Sequence, residues 1–79
     1  MAKFVALLNR YLNNTLSLEE FQADYFDLWE AMRDKLPLTL DQVWAGDDIY
    51  NALNAEFIDE FELETLARAA LDLFLDTEI

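Results

Sequence analysis

One short pattern occurs three times in this 79-residue chain: an apolar residue, a capping residue, two arbitrary residues, an acid or amide, then another apolar residue. The copies are Leu16-Ser17-Leu18-Glu19-Glu20-Phe21, Leu38-Thr39-Leu40-Asp41-Gln42-Val43 and Ile58-Asp59-Glu60-Phe61-Glu62-Leu63. In each, the side chain at the cap can accept a bond from an orphan amide of the first helical turn, and the residue three further on can reach back to the cap amide. The flanking apolar pair can close as a hydrophobic staple. A single match of this kind is weak evidence; three at sensible spacing commit most of the chain to helices.

A first helix without such a box is expected from about Ala2 to Leu12, with Phe4, Leu7, Leu8 and Tyr11 at helical spacing and Asn13-Asn14 as the stop. The second, about Leu18 to Lys35, places Phe21, Tyr25, Leu28, Trp29 and Met32 on one stripe. Pro37 closes it, and Arg33 and Lys35 suit the negative end of its dipole. The third starts after Thr39 with Val43, Tyr50, Leu53 and Phe57 as its apolar side. Gly46-Asp47-Asp48 leaves two readings open there, one helix or two pieces. The fourth, about Glu60 to Leu75, aligns Leu63, Leu66, Ala67, Ala70, Leu71 and Phe74. No strand pattern competes. Short connections favour antiparallel neighbours, so the expected fold is all-α: a compact antiparallel four-helix bundle, one acidic domain over residues 1–79.

A chain this short hides only roughly 60% of its unfolded surface, so all four helices must share one core. With 54% hydrophobic and 14% aromatic residues it is too apolar for a disordered acidic tail, and its net charge of −12 must lie on a folded surface. Cysteine and histidine are absent, which removes disulfides, thiolate sites and imidazole chemistry. The opening residues lack a leader pattern, and no apolar run approaches the ~18 residues of a membrane span. The expectation is a cytoplasmic protein, monomeric or weakly dimeric, with no membrane association.

Catalysis would have to rest on paired carboxylates, and with seventeen acids chance pairs are easy to find. There is no calcium-loop pattern, and one glycine cannot build a phosphate-cradling loop. We expect no catalytic residues, no metal and no cofactor.

The informative feature is where the charge lies. Between Lys35 and Arg68 there is no base, while the interval holds Asp41, Asp47, Asp48, Glu56, Asp59, Glu60, Glu62 and Glu64, eight of the net −12. Placement at helix N-termini accounts for Asp41, Glu62 and Asp59 without any partner, and solubility alone would be served equally well by mixed charge. A single-sign field steers an oppositely charged partner. In a continuous third helix Trp44 falls off the apolar stripe, beside Asp41 and Asp48; Phe61 is off the stripe of the fourth helix, near the Asp59-Glu60 corner. Large aromatics ringed by acids have the composition of interface anchors, although a bundle that wraps both rings would bury them. The candidate partner-binding set is Asp41, Trp44, Asp47, Asp48, Glu56, Asp59, Glu60 and Phe61. Glu19, Asp24 and Asp27 on the second helix form the competing acidic face. Direct nucleic-acid binding is not expected, because −12 repels phosphates.

The stretch from Phe4 to Asp34, with Leu-Asn-Arg-Tyr-Leu, Leu-Ser-Leu-Glu-Glu-Phe and Tyr-Phe-Asp-Leu-Trp-Glu, resembles the N-terminal half of the colicin D-type immunity proteins. Ile49-Tyr50-Asn51-Ala52-Leu53, an acidic connection and Asp59-Glu60-Phe61-Glu62-Leu63 are similar in layout and looser in sequence. The shared motifs are helix caps and core aromatics. The resemblance implies a four-helix immunity protein that binds a cognate nuclease toxin, typically a transfer-RNA-cleaving domain, inside the producing cell. Its carboxylates would lie where substrate phosphates bind. A phage-encoded acidic nucleic-acid mimic that blocks a host defence complex is the alternative, and an acidic adaptor or chaperone is a third reading.

Overall fold

Helix α1 spans Ala2–Leu12, α2 Leu18–Arg33, α3 Leu40–Leu53 and α4 Glu60–Thr77 in the computed structural model. It describes residues 2–35 and 37–77, the side chains of 76 and 77 excepted. Two of the three expected capping boxes close in full. Ser17 Oγ accepts from the Glu20 amide and the Glu20 carboxylate from the Ser17 amide, both at 3.2 Å. Thr39 Oγ1 accepts from the Gln42 amide at 3.2 Å while Gln42 Oε1 accepts from the Thr39 amide at 2.9 Å. At the start of α4, Asp59 Oδ1 accepts from the amides of Phe61 and Glu62, at 3.0 and 3.3 Å.

Asparagine ends α1 as its position suggested. Asn14 adopts φ 60°, a left-handed conformation that asparagine tolerates better than most residues. The turn carries both bonds of a Schellman motif, from the Thr15 amide to the Arg10 carbonyl at 2.9 Å and from the Asn14 amide to the Tyr11 carbonyl at 3.1 Å. It delivers Leu16 into the core, directly before the cap of α2.

The helices form a closed square in which α1 packs on α2, α2 on α3, α3 on α4 and α4 back on α1. Neighbours run antiparallel: Gln22 at the start of α2 donates to the Leu53 carbonyl at the end of α3, and Arg33 at the end of α2 reaches Asp47. The Cα radius of gyration, 11.5 Å, matches the ~12 Å expected of a folded chain this long. This is an all-α four-helix bundle.

Aromatic rings fill the middle. Phe4 of α1 lies 4.6 Å from Phe74 of α4, 5.5 Å from Trp29 and 5.6 Å from Tyr25, centroid to centroid. Tyr11 stacks on Phe21 at 4.2 Å. The expected stripes of α1, α2 and α4 face this core, with Tyr11, Leu28, Leu66 and Leu71 at its half-buried margin.

Helix α3 departs from expectation. It is continuous through Gly46-Asp47-Asp48, and its buried face is Gln42, Gly46, Ile49 and Leu53. Val43 and Tyr50 sit half-buried one residue round the helix, where Tyr50 packs on Phe26 of α2 at 4.9 Å. Phe57 is not core at all: α3 ends at Leu53, and Phe57 lies in the connection with 86% of its surface exposed. The glycine explains the shift. An ideal Cβ on Gly46 would overlap the six-membered ring of Trp29, so the indole packs against a bare stretch of α3 backbone. The face that α3 buries is the one on which a large ring can close in, and hydrophobicity does not mark it.

Candidate functional site

Three of the large side chains left on the outside of the bundle belong to the acidic segment. Trp44 is 58% exposed and Phe61 81%, as their off-stripe positions predicted, and Phe57 joins them. Nearly all the acids are exposed too: Asp41, Asp48, Glu56, Asp59, Glu60, Glu62 and Glu64.

Asp47 is the exception, and the expectation that it forms part of a free rim is corrected here. Its Oδ1 accepts from the indole Nε1 of Trp29 at 3.0 Å and from Arg33 Nε at 3.1 Å, and its Oδ2 accepts from Arg33 Nη2 at 3.0 Å. One helical residue turns a side chain by about 100°, so Asp47 faces α2 while Asp48 faces outward. The missing Cβ at Gly46 brings the indole close enough to need an acceptor there. Tyr25 completes the cluster, donating from its hydroxyl to the Gly46 carbonyl at 2.6 Å. Burial, and then the charges of Asp47 and Asp48, push the Tyr25 phenol well above its ordinary value of 10.0.

The remaining predicted residues are divided among four places. Asp48 and Asp59 meet in a groove of about 480 Å³ between the C-terminal half of α3 and the start of α4, together with Glu62. Its apolar lining is Ala52, Ala55, Leu66 and Phe57, and no base lines it. Glu60 and Phe61 lie on the other flank of α4, with Glu64, where a second groove opens toward Tyr11, Leu12 and the α1–α2 turn. The Tyr11 phenol is raised there, first by burial and then by the carboxylates of Glu60 and Glu64. Asp41 and Trp44 lie toward the opposite end of α3, beside the exposed Leu40. Glu56 stands in the α3–α4 connection next to Phe57.

Two bases temper this field. Arg33 crosses from α2 to Asp47, and Arg68 Nη2 pairs with Glu64 Oε1 at 2.7 Å one turn along α4. The competing acidic face is tempered more evenly. Asp24 and Asp27 line one side of a groove of about 510 Å³ whose other side carries Lys3 and Arg10 of α1. Charge there is mixed, whereas the α3–α4 groove is of one sign.

Among the described residues no three carboxylates converge as a metal ion would require, and no helix is long and apolar enough to cross a membrane. Sequence reasoning missed Phe57, which the α3 stripe assigned to the core, and the inward role of Asp47. A lone glycine in mid-helix, one turn short of Tyr50 and directly before two acids, was the available signal for the second. Compared with protein-family models, curated proteins and solved structures, the chain matches none.

Proposed function

We propose that this protein is an immunity-type inhibitor that binds a basic nuclease domain, such as a transfer-RNA-cleaving toxin, inside the cell that makes the toxin. The observation that carries the reading is the surface of the 41–64 segment: exposed carboxylates together with three large aromatic rings left outside the core, Phe57 in the α3–α4 groove, Phe61 on the other flank of α4 and Trp44 near the start of α3. A cleft that holds RNA combines Lys and Arg with surfaces on which bases stack. A protein filling the same cleft needs negative charge where phosphates go and flat rings where bases go, and the 41–64 segment offers both. The likeness of Phe4 to Asp34 to the colicin D-type immunity proteins points the same way. The field is set up to steer a basic partner, with the exposed rings as packing anchors at contact.

The test is inhibition. The purified chain is titrated into transfer-RNA cleavage reactions of colicin D-type nuclease domains, beginning with any encoded beside it, and co-expressed with them in cells. Stoichiometric inhibition of one such domain and rescue of growth are expected. If no nuclease is inhibited and the protein that co-purifies from the native cell is a defence complex of another kind, the acidic nucleic-acid mimic replaces this reading.

A further inference from the structure

The α3–α4 groove brings an uncovered aromatic ring together with three carboxylates, against two in the groove that Phe61 lines on the other flank of α4. Phe57, 86% exposed, lines the groove with the apolar side chains of Ala55 and Leu66, and the carboxylates of Asp48, Asp59 and Glu62 line the same space with no base among them. Asp59 spends Oδ1 on the amides of Phe61 and Glu62, so the start of α4 is already capped and its dipole already answered. Helix capping therefore accounts for Asp59, but neither for Asp48, which is in the body of α3, nor for the bare ring.

A groove of about 480 Å³ is within the ~300–1,000 Å³ range of ligand clefts, enough for a few side chains and too small for a packed helix. Its chemistry selects among basic side chains. An ammonium is a compact, strongly hydrated charge, whereas a guanidinium is planar, sheds water more easily, stacks on an aromatic face and meets carboxylates with a two-pronged fork. We propose that this groove is the seat for an arginine side chain of the basic partner, with the guanidinium stacked on Phe57 and bonded to the Asp48, Asp59 and Glu62 carboxylates. This rests on the proposed binding of a basic domain and specifies which of its residues the groove reads.

The test uses two short peptides of equal charge, one carrying arginines and one lysines, each titrated into the ¹⁵N-labelled full chain and followed by amide shifts. Arginine peptide should perturb Asn51, Ala52, Ala55, Phe57 and Leu66 first, and bind about two- to fivefold more tightly than lysine peptide, the size of an exposed cation–π preference. Phe57→Leu keeps an apolar side chain at a site with no core contact, and should abolish the preference while leaving the fold intact. Asp59→Asn, still a good helix cap, should weaken both peptides. Equal affinity for the two peptides, an unchanged preference in Phe57→Leu, or shifts spread equally over Glu19, Asp24 and Asp27 would overturn the assignment. Nuclease inhibition is read separately. Inhibition without groove shifts removes the arginine seat and keeps the inhibitor, and groove shifts without inhibition of any nuclease do the reverse.

Discussion

Trp29 occupies the space that a β-carbon on Gly46 would need. Helix propensity alone favours alanine over glycine in mid-helix by roughly 1 kcal/mol. Here the added methyl must displace a buried indole, and overpacking of that kind costs about 1–3 kcal/mol. Gly46→Ala is therefore expected to lower the urea midpoint. In a double-mutant cycle with Trp29→Phe, the alanine should cost less than in the wild-type background.

Asp47 and Asp48 are adjacent acids with opposite expected effects. Asp47→Ala leaves the Trp29 indole N–H, on a residue only 1% exposed, without its acceptor, and should destabilise by about 1–3 kcal/mol. The Arg33 pair adds little, about 0–1 kcal/mol, because both of its side chains are a third or more exposed. Asp48→Ala should leave stability within about 0.5 kcal/mol of wild type or raise it slightly, since it removes one exposed charge from a like-charged segment. Chemical denaturation of the two variants side by side checks this.

All three tyrosines are held above their ordinary value of 10.0. Burial is the largest cause at Tyr11 and Tyr25, and the bond from the Tyr50 hydroxyl to Glu30 Oε1, at 2.9 Å, is the largest at Tyr50. Above pH 10 the folded state consequently binds more protons than the unfolded one, and linkage requires stability to fall as pH rises. Absorbance at 295 nm should show the ionisation of Tyr25 delayed until it coincides with loss of helical ellipticity. Tyr25→Phe should lose some stability at neutral pH with the Gly46 bond, and show a shallower alkaline decline.

Acid acts through Glu20. Its carboxylate is held below the usual 4.5 by the Ser17 amide first and the Ser17 hydroxyl second. The stabilisation is complete above the unfolded value and disappears as pH falls through the lower folded one. Glu20→Gln keeps a side chain able to accept from the cap amide and should flatten the acid limb of a pH–stability profile. A profile identical to wild type below pH 5 would contradict this.

The exposed rings separate binding from folding. Phe57→Ala and Phe61→Ala should change the unfolding free energy by less than about 0.5 kcal/mol, whereas Phe4→Ala or Phe74→Ala should cost about 3–5 kcal/mol. Thermal unfolding beside partner-binding kinetics distinguishes the two classes. An anchor should speed dissociation without lowering the melting temperature.

The helix ends were legible because capping is local chemistry. Ser17, Thr39, Asp59 and Asn14 act on amides and carbonyls within five residues of themselves, so their roles can be read without knowing the fold. Single-faced apolar stripes gave the core of α1, α2 and α4 for the same reason. The buried side of α3 was not legible, because Gln42 and Gly46 carry no hydrophobic signal and owe their burial to Trp29 and the Thr39 cap. The acidic character of the 41–64 segment was plain in the sequence. Its division into a one-sign groove, an inward Asp47 and two other patches depends on how α3 rotates against α2 and α4, which is a tertiary fact.

The contact between Phe4 and Phe74, 4.6 Å between ring centroids, joins the first helix to the last. Phe4 meets Tyr25 and Trp29 across the α1–α2 contact, but it gains its nearest ring only when α4 docks, and the square cannot close on three helices. A chain whose α4 has come away from α1 would show its aromatic interior to proteases and chaperones.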